Sequence, residues 1–425
     1  MTTRKPVGIE KIFAYPCTLT LDMVALAEAR GVSPAHPLEE LWVESRSLNP
    51  VWEDPVTMAV NAARGLLEGE DPEQVEMIVV GTESSVDFGK PISTWVQRLA
   101  GVGPNCRNFE TKHACYGGTG ALMTAAHWIA SGHNRGKKAL VVCADQSRIH
   151  LDKPWEFVLG AAATAMLISD KPEFVELELE NNGYWTNEIS DTYRPTSRDE
   201  VGHADTSLFG YLEAVEGAAE HFMRVSGETD YDGNFARHIY HVPFGAMTYR
   251  AHRAVVRRWV PGLPNKAIQG HFERKSKPGL RYNRRLGGTY TSATFLAMMG
   301  TVAAATDAGA TAAAGASGEP LRAGDRVSVF SYGSGSCAEF YSVRVGDRAR
   351  EIVAAAKLDE RLDARRKVTV PEYEAIEQLR ASYVEGRDYE TDKSGPDGHY
   401  QSVYAGKGLC VLDGVSGWER HYRLS

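Results

Sequence analysis

Short runs of uninterrupted apolar residues, each bounded by turn formers, recur along the chain. Val75-Glu-Met-Ile-Val-Val-Gly81, Lys138-Ala-Leu-Val-Val-Cys-Ala144 and Ala165-Met-Leu-Ile-Ser169 lie in the first half. Runs this apolar and this short predict strands covered on both faces. Between the first two, residues 91–100 and 116–130 read as helices. The second half repeats the style with His238-Ile-Tyr-His241, Arg326-Val-Ser-Val-Phe-Ser331, a turn at Tyr332-Gly-Ser-Gly335, and Glu339-Phe-Tyr-Ser-Val-Arg-Val345. A helical stretch at 291–304 precedes the later strands. Strands alternating with helices predict an α/β fold, divided into halves at 1–170 and 171–425. Residues 303–318, almost all Ala, Gly, Thr and Ser, read as a helix end and loop. Residues 388–408 read as a surface excursion before a final strand-like pair. No short-period repeat suggests a solenoid.

Composition narrows the classes. The chain has 425 residues, 43% hydrophobic and 24% charged, which is globular. No stretch approaches the ~18 apolar residues of a membrane span. Met1-Thr-Thr-Arg-Lys-Pro has no apolar run behind its charges, so no secretory leader is expected. The six cysteines, Cys17, Cys106, Cys115, Cys143, Cys337 and Cys410, form no C-x-x-C pair and fit no common zinc spacing. No metal is expected; reduced thiols in a cytoplasmic protein are. A net charge of -8 argues against nucleic acid. Within it, residues 250–285 hold eleven basic residues against the single acid Glu273. That run suits coenzyme A or an acidic carrier protein; RNA fits the overall charge poorly.

Four local patterns carry chemistry. Cys115, in His113-Ala-Cys-Tyr-Gly-Gly-Thr-Gly, precedes a helix that opens on small residues. A helix N-terminus favours a thiolate and predicts a lowered thiol pKa, with backbone N–H groups near an attacking sulfur. The same pattern equally describes a buried structural cysteine. Glu83, in Gly81-Thr-Glu-Ser-Ser-Val-Asp87, follows an apolar strand, where α/β proteins place ligands and burial raises a carboxyl pKa; a turn cap is the plainer reading. His238 and His241, three apart on a strand, face opposite sides. Only His241, at the strand end, is placed for a pocket. Ser331-Tyr-Gly333-Ser334-Gly335 permits close backbone approach, but has no Walker lysine, and no G-x-G-x-x-G lies nearby, so nucleotide binding is disfavoured.

Taken in order, these motifs resemble the 3-hydroxy-3-methylglutaryl (HMG) thioester synthase family of the thiolase superfamily, over most of the chain. The carboxylate motif resembles Thr82-Glu83-Ser84-Ser-Val-Asp87, and the nucleophile motif Phe109-Glu-Thr-Lys-His-Ala-Cys115-Tyr-Gly-Gly-Thr. The histidine motif resembles His241-Val-Pro-Phe244, and the late turn Phe330-Ser-Tyr-Gly-Ser-Gly335. Asp191-Thr-Tyr-Arg194-Pro195 and the stretch from Ser207 to Tyr211 are similar to segments near the family's acyl site. Asp87-Phe-Gly-Lys-Pro-Ile-Ser-Thr and Ser207-Leu-Phe-Gly-Tyr-Leu resemble the branch of polyketide β-branching cassettes. The resemblance implies a thiolase-like αβαβα fold of two related halves and a homodimer. It also implies an acyltransferase in which Cys115 takes an acetyl group, Glu83 deprotonates its methyl, and His241 acts on the acceptor's β-ketone. Ser334, Gly333, Tyr211, Ser207, Gly288 and Arg194 would bind substrate. No cofactor is implied beyond a carrier protein's phosphopantetheine arm or coenzyme A. The partners would be a donor acyl carrier protein and a polyketide synthase acceptor carrier protein.

One position departs from the family: Gly288 stands where an Asn is expected, in Arg285-Leu-Gly287-Gly288-Thr289-Tyr290. Its loss suggests partial replacement by Thr289, a roomier pocket, or a relative that no longer condenses and serves as a docking subunit. The remaining alternative is a synthase using free acetyl- and acetoacetyl-coenzyme A.

Overall fold

The computed structural model describes residues 5–304 and 321–425. Ten strands form one hydrogen-bonded sheet. In chain order they are β1 (Gly8–Tyr15), β2 (Val75–Gly81), β3 (Arg107–Thr111), β4 (Lys138–Gln146), β5 (Ala161–Ser169), β6 (Val175–Leu177), β7 (Gly183–Thr186), β8 (Arg237–Tyr240), β9 (Arg326–Gly333) and β10 (Cys337–Val345). The spatial order is β8-β9-β10-β6-β1-β5-β4-β2-β3, with β7 also on β10. β2 runs parallel to β3 and β4, and β8 parallel to β9; the other pairings are antiparallel. Within this sheet, the described strands before and after residue 170 join where Gly8 and Ile9 meet Glu176 and Val175.

Helices cover and separate these strands. α1 (Pro55–Leu66) starts from a capping box between Asp54 and Thr57 and packs on β1, β4 and β5. α2 (Gly117–Ala130) and α5 (Ala293–Ala304) lie at the centre. α2 touches β2 and β4, and Thr119 reaches across to Ser331 on β9 at 2.7 Å. α3 (Ala204–Ser226) and α4 (Gly245–Trp259) cover the far side. Gly-Gly-Thr-Gly is a poor isolated helix start. Here it buys proximity: a Cβ on Gly118 would lie 2.6 Å from Cys143 Sγ and 2.8 Å from Thr291 O.

Two expectations change. The stretch 388–408 is more than a surface excursion. Thr391, His399, Tyr400 and Tyr404 are buried, and Trp52 meets Tyr400 and Tyr404 edge-on at 5.4 and 5.5 Å. The basic run at 250–285 is less one-sided in the fold than in the sequence, although Arg250 stays on the cavity wall with no ion pair among the described residues. Folding brings Glu220 to Arg258, Asp232 to Lys275, Glu44 to Arg284, and Asp359 to Arg281 and Arg285. The Ala/Gly-rich stretch 303–318 lies outside the described residues from 305 onward. Among those described, all six cysteines are free, and no helix is long and apolar enough to cross a membrane.

Candidate active site

Four segments end at one cavity of about 1630 Å³. β2 delivers Glu83, the turn before α2 delivers Cys115, β8 delivers His241, and β9 delivers Ser334; all four residues line it. Cys115 Sγ lies 3.7 Å from Glu83 Oε2. Ala114, just before the sulfur, has φ 42°, a left-handed conformation that a non-glycine residue adopts only when its surroundings hold it there. His241 is 1% exposed. Its N–H donates to Phe330 O at 2.8 Å, its C=O accepts from the Tyr211 hydroxyl at 2.8 Å, and its Nδ1 is 3.4 Å from Thr294 Oγ1. His238 faces away, stacked on Tyr231 with ring centres 4.5 Å apart, as strand alternation requires.

Burial sets the electrostatics. It pushes the Glu83 carboxyl up to about 8, against the pull of Arg194 at 3.3 Å and with a further push from buried Asp145. Burial also pushes His241 down to about 3, so its imidazole is neutral across physiological pH. The Cys115 thiol is raised, first by burial and then by Glu83, the reverse of the lowering expected from a helix end. The first residue of α2 is Gly117, so the sulfur lies ahead of the helix and shares its desolvated corner with an acid. Removing its proton falls to that acid.

The other candidate residues divide into wall and support. Ser207, Tyr211, Gly288, Ser334 and Arg194 line the cavity, whereas Gly333 does not. A Cβ on Gly333 would sit 2.3 Å from His113 O and 2.7 Å from Tyr116 N. Its role is to let the late turn close on the Cys115 turn, with Ser334 on the same cavity wall as the sulfur. Arg194 is already engaged: it pairs with Glu83 and with Glu200 at 2.7 Å, bonds Glu83 O at 2.9 Å, and lies over the Tyr290 ring. Those bonds make it a holder of Glu83 before a contact for substrate. Gly288 leaves no roomier pocket. A Cβ there would meet the carbonyl oxygens of Pro243 and Val158 at 2.7 Å, and its N–H bonds Val158 O at 2.7 Å. Thr289 is wholly buried and does not reach the cavity wall, so it does not replace the Asn there.

Of three further supports, Asp145 and Tyr290 escaped sequence reasoning, and Asp191 entered it only as the first residue of a segment similar to one near the family's acyl site. Asp145, fully buried at the end of β4, accepts from Thr82 Oγ1 and the Glu83 N–H at 2.9 Å and from Thr291. It obeys the rule that singled out Glu83, a carboxylate ending a buried strand, and that rule could have found it. Asp191 accepts from Tyr332 OH at 2.7 Å and Gly335 N–H at 2.9 Å, fixing the late turn. Tyr290 lines the cavity at φ 51° with a buried hydroxyl that lacks a partner; no local pattern announced it.

A sulfur and a carboxyl in one desolvated cleft, with a neutral imidazole in the same wall, is the equipment of an acyltransferase that works on thioesters. Two family models, hydroxymethylglutaryl-coenzyme A synthase N terminal and C terminal, match residues 3–172 and 264–405. The chain belongs to that family of carbon–carbon bond-forming acyltransferases, and its fold is thiolase-like. It is 33% identical over 431 residues to the polyketide biosynthesis 3-hydroxy-3-methylglutaryl-ACP synthase PksG of Bacillus subtilis strain 168, with 98% of each chain covered. It is 32% identical to the hydroxymethylglutaryl-CoA synthase of Enterococcus faecalis, over 87% of this chain and 91% of that one. Among solved structures, the curacin biosynthetic pathway HMG synthase superposes with TM-score 0.90 at 33% identity, covering 99% of this chain and 100% of its own. The same enzyme in complex with acetyl donor-ACP also gives 0.90, at 32% identity over 99% of this chain and 100% of its own.

Proposed function

We propose that the protein adds an acetyl group from an acetyl-acyl carrier protein to the β-ketone of a carrier-bound polyketide, the β-branching reaction. The observation that carries this reading is the 3.7 Å approach of Cys115 Sγ to Glu83 Oε2 on a shared cavity wall. Cys115 attacks the acetyl thioester as Glu83 takes its proton, and the carrier thiol leaves with a proton. Backbone N–H groups at Cys115 and Ser334 face the thioester oxygen. Glu83 then removes a methyl proton, and the carbanion adds to the ketone held on the same wall. Neutral His241 polarises the ketone oxygen, which takes up a proton. Water releases the product as a free carboxylate and restores the thiol. Gly288 alters the acceptor wall without removing any of these groups.

Carrier proteins are preferred over coenzyme A because the two segments similar to the β-branching branch each put a phenylalanine into solvent. Phe88 is fully exposed on the cavity wall, and Phe209 is 68% exposed beside wall residue Leu208. Exposed aromatics at a cavity mouth suit a protein partner more than a nucleotide. A homodimer fits the edge strand β3, which pairs with β2 on one side and, among the described residues, with no strand on the other. A cytoplasmic site of action fits six free thiols. The direct test incubates the enzyme with acetyl-carrier and β-ketoacyl-carrier proteins and weighs the acceptor. The expected gain is about 60 Da, the elements of acetate. An unchanged acceptor beside consumed donor would sink the proposal.

A further inference from the structure

The cavity is larger than acetyl and acetoacetyl groups need, since pockets for whole drug-sized ligands span about 300–1,000 Å³. Its excess reaches Arg380, Tyr383 and Val384, at and just past the end of the helix α6 (Val370–Tyr383). A side chamber of about 190 Å³ shares this wall, bordered by Arg148, Arg198 and Arg380. Two of these guanidinium groups are engaged. Arg380 bonds Glu377 at 2.6 Å and Asn49 at 2.9 Å, and Arg198 bonds Val384 O at 2.7 Å and pairs with Glu385 at 3.3 Å. The other carboxylates nearby are held as well, Glu83 and Glu200 by Arg194 and Glu156 by Arg30. Arg148 lines both spaces yet makes no hydrogen bond or ion pair with any described residue, and its Nε is buried without an acceptor. Burial, reinforced by repulsion from Arg194 and opposed by the more distant Glu200, pushes its pKa down to about 10, so it stays charged at neutral pH. A partly desolvated cation without a directly bonded partner is costly. A planar fork of free donors on a cavity wall matches the paired oxygens of a carboxylate or phosphate.

We propose that Arg148 anchors an anionic oxygen group, carboxylate or phosphate, carried by the thioester substrate. This rests on the proposed function and deepens it. Two sources supply that chemistry, the phosphate of the pantetheine arm and a carboxylate on the acceptor's acyl chain. One arm of the experiment compares kcat/KM for acetoacetyl-phosphopantetheine and acetoacetyl-pantetheine. The other compares β-ketoacyl-pantetheine acceptors ending in a carboxylate and in its methyl ester. The wild type is expected to prefer the anion at least tenfold in one arm, which names the source. The preference is expected to fall to about one in Arg148→Gln and Arg148→Met and to recover partly in Arg148→Lys. Thermal melting of the neutral variants should match or exceed wild type, since no protein contact is lost. No preference in either arm, or a preference unchanged in both neutral variants, overturns the assignment. Intact mass of wild-type Cys115 in the same samples separates the two ideas. Acetylation without anion preference overturns the Arg148 anchor alone, whereas no acetylation overturns the proposed function with it.

Discussion

Glu83 and its neighbours make the reaction's pH dependence a matter of a few charges. Proton abstraction needs the carboxylate, and burial holds that group at about 8 in the empty site. Exchange of the acetyl methyl protons with deuterated water should therefore rise as pH passes through about 8. Asp145 raises this pKa and Arg194 lowers it, so Asp145→Asn should move the rise to lower pH and Arg194→Met to higher pH. Shifts in the opposite directions would contradict the electrostatic account. Glu83→Gln should slow exchange by about a hundredfold to ten-thousandfold, the range for loss of a general base. Much of this residue-scale picture was legible in the sequence, because a carboxylate ending an apolar strand and a cysteine ahead of a small-residue helix leave local marks. The supports were not. Arg194 reaches Glu83 across more than a hundred positions, and no window of sequence displays such a partner.

At the scale of elements, the tight packing of α2 decides where the sulfur stands. Gly118 lies against Cys143 on β4 and the Thr291 carbonyl just before α5. Gly118→Ala must push α2 away from one of them. The expected cost is about 1–3 kcal/mol, read as a lower denaturant midpoint with less activity; an unchanged midpoint would show that the helix has room. The strands predicted from apolar runs, β2, β4, β5, β9 and β10, all form. β1 was missed because Glu10 and Lys11 interrupt its run. In the fold Glu10 is buried against Lys138 at 2.6 Å, so a pair across strands pays for what reads as a polar break. α3 and α4 carry ordinary amphipathic patterns without the contrast of the apolar strands, and α6 buries Glu377 and Arg380 beside its apolar residues, so none was singled out.

At the scale of the whole molecule, the α/β reading stands, and the basic run is answered in part by acids from elsewhere in the chain. The acids that answer part of the run lie elsewhere in the chain, at Glu44, Glu220, Asp232 and Asp359. The proposed docking role rests more on the exposed aromatics. Phe88→Ser and Phe209→Ser together should cut the ratio of kcat/KM for acetyl-carrier protein over acetyl-pantetheine about tenfold, a loss typical of one or two interface anchors. An unchanged ratio would place the docking face elsewhere. The central claim remains the covalent one, and mass spectrometry of the intact protein tests it most directly. After a short incubation with acetyl-carrier protein, wild type should gain about 42 Da, one acetyl group, and Glu83→Gln should gain it more slowly, because the acceptor of the thiol proton is lost. Cys115→Ala should gain nothing, and only wild type should go on to extend an acceptor. An acetyl group that persists in Cys115→Ala, or product released by Glu83→Gln at the wild-type rate, would contradict the account.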